Sequence, residues 1–214
     1  MVEVAVSFDV GTKNLGFCKL FVKKETKEFE IIDWEVISVV GPEVNVNKTS
    51  IEDLVVPFYT TVLKNISNWL EFATVVYIES QPLGRARNLK TKILSHILQI
   101  LCHYTNSEIQ IQFVHPSLKL KDMVGPREYR LNKKYAVSKT LELISSIYCK
   151  SAETCTELFV GSKRDDLADS FLQGYYACIF CEVKQTKEKP KKKIKQKHDS
   201  AQQRAIEFSS LSLK

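Results

Sequence analysis

Three strand-length apolar runs follow one another within the first 38 residues, at 2 to 9, 15 to 22 and 29 to 38, and they narrow the folds open to the chain. The first, "VEVAVSFD", is rich in Val and reads as a buried strand. The charged link "KKETKE" between the second and third fits a hairpin turn on an exposed edge, so the spacing predicts a three-stranded antiparallel meander.

Beyond the meander the pattern alternates. From Ile51 to Leu70 the spacing is helical, with Leu54, Phe58, Val62, Ile66, Trp69 and Leu70 recurring every three or four residues, and Pro57 predicts that the helix starts near it or kinks there. "ATVVYIES" at 73 to 80 predicts a fourth strand, and Ile93, Leu94, Ile97, Leu98 and Leu101 mark a second helix. "IQIQFVHP" alternates as a fifth strand, and residues 133 to 147 and 165 to 180 predict two more helices. The predicted fold class is α/β, a mixed five-stranded sheet of three antiparallel strands followed by alternating helix and strand, flanked by helices.

A length of 214 residues suits one domain, expected over residues 1–183, followed by a Lys-rich, flexible tail at 184–214. Residues 184 to 198 carry eight Lys and one Glu, and the formal charge of the whole chain is +6, so the remaining 23 basic and 24 acidic residues nearly cancel. Any basic surface on the body is therefore local, and the Lys block reads as a solvated segment, a nucleic-acid contact or a nuclear import signal. No apolar run approaches the roughly 18 residues of a membrane span, and Glu3 interrupts the first apolar stretch; the expected protein is soluble and intracellular. The 6 Cys lack the spacing of a disulfide scaffold, and Cys178-x-x-Cys181 lies inside an apolar run without flanking His, so buried reduced thiols are expected rather than zinc.

Asp9 and Glu79 each end an apolar strand, where α/β sheets open a crevice. Asp166 and Asp169, three apart on a helix, present their carboxylates on one face, and Asp165 beside them is a candidate N-cap. Four carboxylates in one crevice repel unless a cation sits among them, and hard oxygen donors suit Mg²⁺ or Mn²⁺, the ions that serve phosphodiester hydrolysis. Alone, a strand-end acid is more often a turn or cap residue. Arg85, Arg87, Lys90 and Lys92 follow Glu79 closely, and Arg127, Arg130, Lys133 and Lys134 gather at the start of a helix; both clusters are candidate phosphate contacts. Lys13, just after Asp9, could reach a phosphate or merely face solvent in a turn.

The blocks "FDVGTKN" at 8 to 14, "IESQP" at 78 to 82, "YRLNKKYAV" at 129 to 137 and "KRDDLADSF" at 163 to 171 together resemble RuvC-type Holliday-junction resolvases of the ribonuclease H-like superfamily. The branch of poxviruses and other large DNA viruses is the most similar. The resemblance implies that Asp9, Glu79, Asp166 and Asp169 are catalytic, metal-binding acids, with two Mg²⁺ per active site and Mn²⁺ as a substitute. It also implies an essential Lys, for which Lys134 is favoured over Lys133, with Lys119 and Lys121 similar to a basic position of the bacterial branch. The implied enzyme is a homodimer that cuts four-way DNA junctions symmetrically, in host cytoplasm or nucleus, with no membrane and no nucleotide cofactor.

Three other readings compete. "DVGTKNLG" also resembles the phosphate-binding opening of actin- and hexokinase-like ATPases, but 214 residues leave no room for a second full domain. A non-catalytic DNA-binding module would have little reason to keep four clustered acids. Another ribonuclease H-like nuclease, acting on RNA:DNA hybrid or other branched DNA, is the more serious rival.

Overall fold

The computed structural model describes residues 2–81, 87–124, 128–161 and 163–181. The elements run β1 (Val2–Val10), β2 (Asn14–Lys23), β3 (Glu28–Ser38), α1 (Ile51–Leu70), β4 (Val75–Glu79), α2 (Arg87–Thr105), β5 (Gln110–Val114), α3 (Tyr129–Ile144), α4 (Ala152–Leu158) and α5 (Arg164–Phe180). A 3₁₀ turn, Pro116–Leu120, follows β5.

The sheet order is β3-β2-β1-β4-β5. The two hairpins are antiparallel, whereas β4 joins β1 and β5 joins β4 in parallel, as crossover connections through helices require. The expected meander and the strand order that follows it are therefore present. β1 is apolar almost throughout because both its faces are covered. Val6, Phe8, Phe17, Val76 and Ile78 pack against Phe58, Val62 and Trp69 of α1 and Leu94 and Leu98 of α2. On the other face Ala5, Cys18, Leu20 and Tyr77 meet Phe171, Leu172 and Tyr175 of α5, with Trp34 stacked on Phe159 at 5.1 Å.

Several local details depart from the sequence pattern. α1 begins at Ile51, ahead of Pro57, because Ser50 caps it by accepting from the Asp53 amide at 3.1 Å. Pro57 sits inside the helix, one backbone donor short. α3 starts at Tyr129 rather than 133, and α4 is an additional short helix. Lys163, not Asp165, stands at the N-cap of α5; Asp165 is in the first turn, bonded to Lys133 of α3. The Cys side chains among the described residues are free thiols, all buried except the partly covered Cys181. No helix among the described residues is long and apolar enough to cross a membrane. The tail expected at 184–214 lies outside the described residues.

Candidate active site

β1, β4 and β5 run parallel and end at one edge of the sheet, which brings Asp9 near the end of β1 and Glu79 at the end of β4 to the same side. Glu79 is in register with Val114, the last residue of β5. The chain then turns through Pro116–Leu120, with the His115 side chain capping the turn by accepting from the Ser117 amide at 3.2 Å. This turn carries Lys119 back over the strand ends.

α5 lies directly across β1 and β2, and small residues make the approach possible. A Cβ added to Gly16, the partner of Asp9 in the ladder, would stand 3.0 Å from the Asp166 carbonyl oxygen and 3.3 Å from Asp9 Cβ. A Cβ on Gly174 would stand 2.8 Å from Ser7 Cβ. Between these contacts the buried Gln173 donates through Nε2 to Ser7 Oγ and Phe8 O at 3.1 Å each and to Tyr77 O at 3.4 Å. One amide thus ties α5 to β1 beside Asp9 and to β4 two residues before Glu79. Asp169 stands one helical turn before Gln173, so this bond sets its height over the strand ends.

Lys119 Nζ lies 2.7 Å from Glu79 Oε2, 2.7 Å from Asp169 Oδ2 and 3.6 Å from Asp9 Oδ1. Asp166, on the same face of α5, accepts from Asn14 Nδ2 at 3.1 Å. The Asn14 amide is held the right way round because its oxygen accepts from Lys163 Nζ at 2.8 Å, and Lys163 also donates to Ser38 Oγ at 3.2 Å. Four carboxylates and one ammonium would carry a net −3 if all were ionised.

The electrostatics follow from that excess. Burial pushes the Glu79 carboxyl up to about 7, with Lys119 opposing the rise and Asp9 and Asp169 adding to it. Burial likewise pushes Asp169 up to about 6, with Lys119 opposing and Asp9 and Asp166 adding to the rise, and Asp166 is raised by burial and by Asp165 and Asp9. Burial acts to lower Lys119, but Asp9, Asp169 and Glu79 outweigh it and hold its proton more tightly than in water. Asp165 goes the other way: burial is overcome by Lys133, and its carboxyl is lowered.

These shifts have a measurable consequence for the metal-free protein. Glu79 and Asp169 bind protons more tightly folded than unfolded, so between the unfolded carboxylate range near pH 4 and their folded values the native state holds more protons and loses stability as pH rises. In chelator the melting temperature is expected to fall from pH 5 to pH 8, and Glu79→Gln to show a shallower fall. Parallel pH profiles for the two proteins would contradict this.

A second expectation concerns Gln173. Gln173→Leu removes a buried amide bonded to two strand carbonyls and should cost about 1–3 kcal/mol in thermal unfolding, and Gln173→Glu more, because it sets a carboxylate against the same oxygens. An unchanged melting temperature for the Glu variant would remove Gln173 as the tie between α5 and the sheet.

Oxygen donors at Asp9, Glu79, Asp166 and Asp169 suit a hard divalent cation. In this conformation Lys119 Nζ stands between Glu79 and Asp169, and among the described residues no three His, Cys, Asp or Glu side chains close on a shared point. The donor types suit such an ion, and in this conformation the Lys119 ammonium takes the place between two of them.

Of the basic residues singled out in the sequence, Lys119 reaches the acids. Lys134, the favoured Lys, is exposed on α3 and lines a surface groove with Arg164 and Asp165. Lys133 bonds Asp165, and Lys121 lies 2.9 Å from the centre of the Phe180 ring. Lys13 donates to Pro42 O at 3.0 Å, and Lys90 donates to Val46 O at 2.9 Å and Thr49 O at 2.5 Å, so both bond backbone. Lys92 is partly buried on α2 and Arg130 is exposed at the start of α3. Arg85, Arg127 and the Arg87 side chain lie outside the described residues. No spacing in the sequence marks Asn14 or Gln173 as site residues, beyond the lone Gln in the apolar run "SFLQGYYACIF".

A family model described as poxvirus A22 protein matches residues 3–179. No curated protein matches the chain. Among solved structures, the fowlpox virus resolvase in complex with Holliday junction DNA superposes with a TM-score of 0.55 at 17% identity, covering 84% of this chain and 99% of that one. RuvC of Thermus thermophilus with a Holliday junction substrate gives 0.54 at 13% identity, over 84% and 94% of the two chains. The yeast mitochondrial Holliday junction resolvase gives 0.51 at 17% identity, over 81% and 78%. At these identities the likeness is one of fold, the ribonuclease H-like sheet with its helices.

Proposed function

Because the chain belongs to the poxvirus A22 protein family, we infer that it is a nuclease that resolves four-way DNA junctions. The observation that carries the reading is the convergence of Asp9, Glu79 and Asp169 on Lys119 at the strand ends, with Asp166 alongside. A net negative centre of hard oxygens calls for divalent cations, and a phosphodiester brings further negative charge to the same place.

Asp9, Glu79, Asp166 and Asp169 would hold Mg²⁺, two ions per centre, with Mn²⁺ able to substitute. When bound, such ions supply positive charge to the attacking and leaving oxygens of the displacement. Lys119 offers its ammonium to the negative charge that grows on the scissile phosphate. Asn14 and Gln173 hold Asp166 and Asp169 at fixed heights, so less reorganisation accompanies reaction. Arg130, Lys134 and Lys92 would contact DNA phosphates, which would set register on the junction without reading sequence. Two copies related by a two-fold axis would set equivalent centres on opposite strands of a two-fold junction. The setting is viral DNA recombination and the resolution of replication intermediates, in host cytoplasm or nucleus.

A supercoiled plasmid that extrudes a cruciform tests the paired cut. Two cuts within one encounter convert it directly to linear DNA; accumulation of nicked circles without linear product would rule out a symmetric resolving dimer.

A further inference from the structure

A cavity of about 310 Å³ opens beside the acid centre, between the 3₁₀ turn and the first turns of α3, and shares Lys119 and Asp169 with that centre. Its chemistry differs from that of the centre. Pro116, Leu120 and the ring of Tyr129 give it apolar walls, and Ser117 and Asn132 supply polar edges. The charges on its wall are already matched: Lys119 bonds Glu79 and Asp169, and Lys133 bonds Asp165. Beyond the Lys119 ammonium, which serves the acid centre, the lining offers a phosphate no uncommitted cation, whereas a flat, neutral group with a π-face and hydrogen-bonding edges matches it.

Tyr129 is 73% exposed, and Lys133 Nζ stands 5.1 Å from its ring centroid. Asn132 lines the same cavity, and its enclosed Oδ1 has no hydrogen-bond partner among the described residues.

We propose that this cavity receives the nucleobase of a nucleotide flanking the scissile phosphate, with Tyr129 as the stacking platform and Asn132 meeting the base edge. The proposal rests on the resolvase reading and adds to it a source of base preference at the cut. The cavity borders Asp169 and Lys119, so a base next to a phosphate held at that centre would lie beside it. Bases at a branch point leave the stack at less cost than bases inside continuous duplex, so the junction favours such capture.

Single-turnover cleavage of four-way junctions tests this, using junctions with all bases present and junctions with an abasic nucleotide at either position flanking the cut. Tyr129→Ala should slow cleavage about tenfold, the scale of a lost base–aromatic stack. An abasic nucleotide at one of the two flanking positions should slow the wild-type enzyme to a similar degree. Combining the two should bring no further loss, since each removes the same contact. Tyr129→Phe keeps the ring and should cut at the wild-type rate, and Asn132→Ala should change which flanking base is cut fastest. Losses that multiply when combined, or the absence of any abasic effect at both positions, would overturn the proposal while paired cutting by the wild type left the resolvase reading standing. No paired cutting of any junction by the wild type would instead overturn the reading on which the proposal rests.

Discussion

Lys119→Met is expected to act on stability and cleavage together. The side chain is enclosed, and its ammonium lies 2.7 Å from both Glu79 and Asp169. Removing it leaves buried carboxylates without their counter-charge, a loss on the order of 3–5 kcal/mol for a broken buried pair. That loss should be read as a lower melting temperature in chelator, and added divalent cation should restore much of it. Junction cleavage should fall about 10²–10³-fold, the scale seen when one group that stabilises developing charge is removed. Affinity for Mn²⁺ should rise, because the ammonium no longer competes for the same oxygens. Wild-type cleavage by Lys119→Met would return the basic role to Lys134, exposed on α3, or to Lys133.

Asp166→Asn should separate chemistry from binding. The substitution keeps the shape of the side chain, and Asn14 Nδ2 can still donate to the amide oxygen that replaces Asp166 Oδ2. The fold and the affinity for a four-way junction should therefore be close to wild type. What is lost is one anionic donor to the divalent cation, and since such an ion contributes several kcal/mol to the displacement, cleavage should drop by about 10³-fold or more. Cleavage in Mg²⁺ at the wild-type rate would take Asp166 out of the metal-binding set.

The two predictions draw on features of unequal visibility in the sequence. Asp166 was legible because strand-end acids and an i, i+3 acidic pair are periodic signals, and the strands that carry Asp9 and Glu79 are apolar on both faces. The meander was legible for the same reason, its turn marked by consecutive charges. Lys119 was harder to single out, since "PSLKLKDMVG" offers two Lys in an irregular turn and only the end of β5 beside Glu79 selects one of them. Lys134 drew attention through its place in a motif block, yet helix geometry leaves it exposed on α3 while Lys133 takes Asp165. The N-cap expectation for Asp165 failed because a tertiary partner on α3 captured the side chain that would otherwise have closed the helix end. Asn14 reaches Asp166 across 152 residues and Gln173 reaches Phe8 across 165, contacts that no local pattern announces. Pro57 shows the converse: the cap at Ser50 and the apolar face of α1 outweigh one missing backbone bond.

The most direct measurement is cleavage by the wild-type protein of four substrates of matched sequence, a four-way junction, a flap, a linear duplex and an RNA:DNA hybrid, each with Mg²⁺ and with chelator. A junction resolvase built on the Asp9, Glu79, Asp166, Asp169 and Lys119 centre should make symmetric paired cuts in the junction alone, and none in chelator. Comparable cutting of the hybrid or the linear duplex, or cutting that persists in chelator, would contradict it.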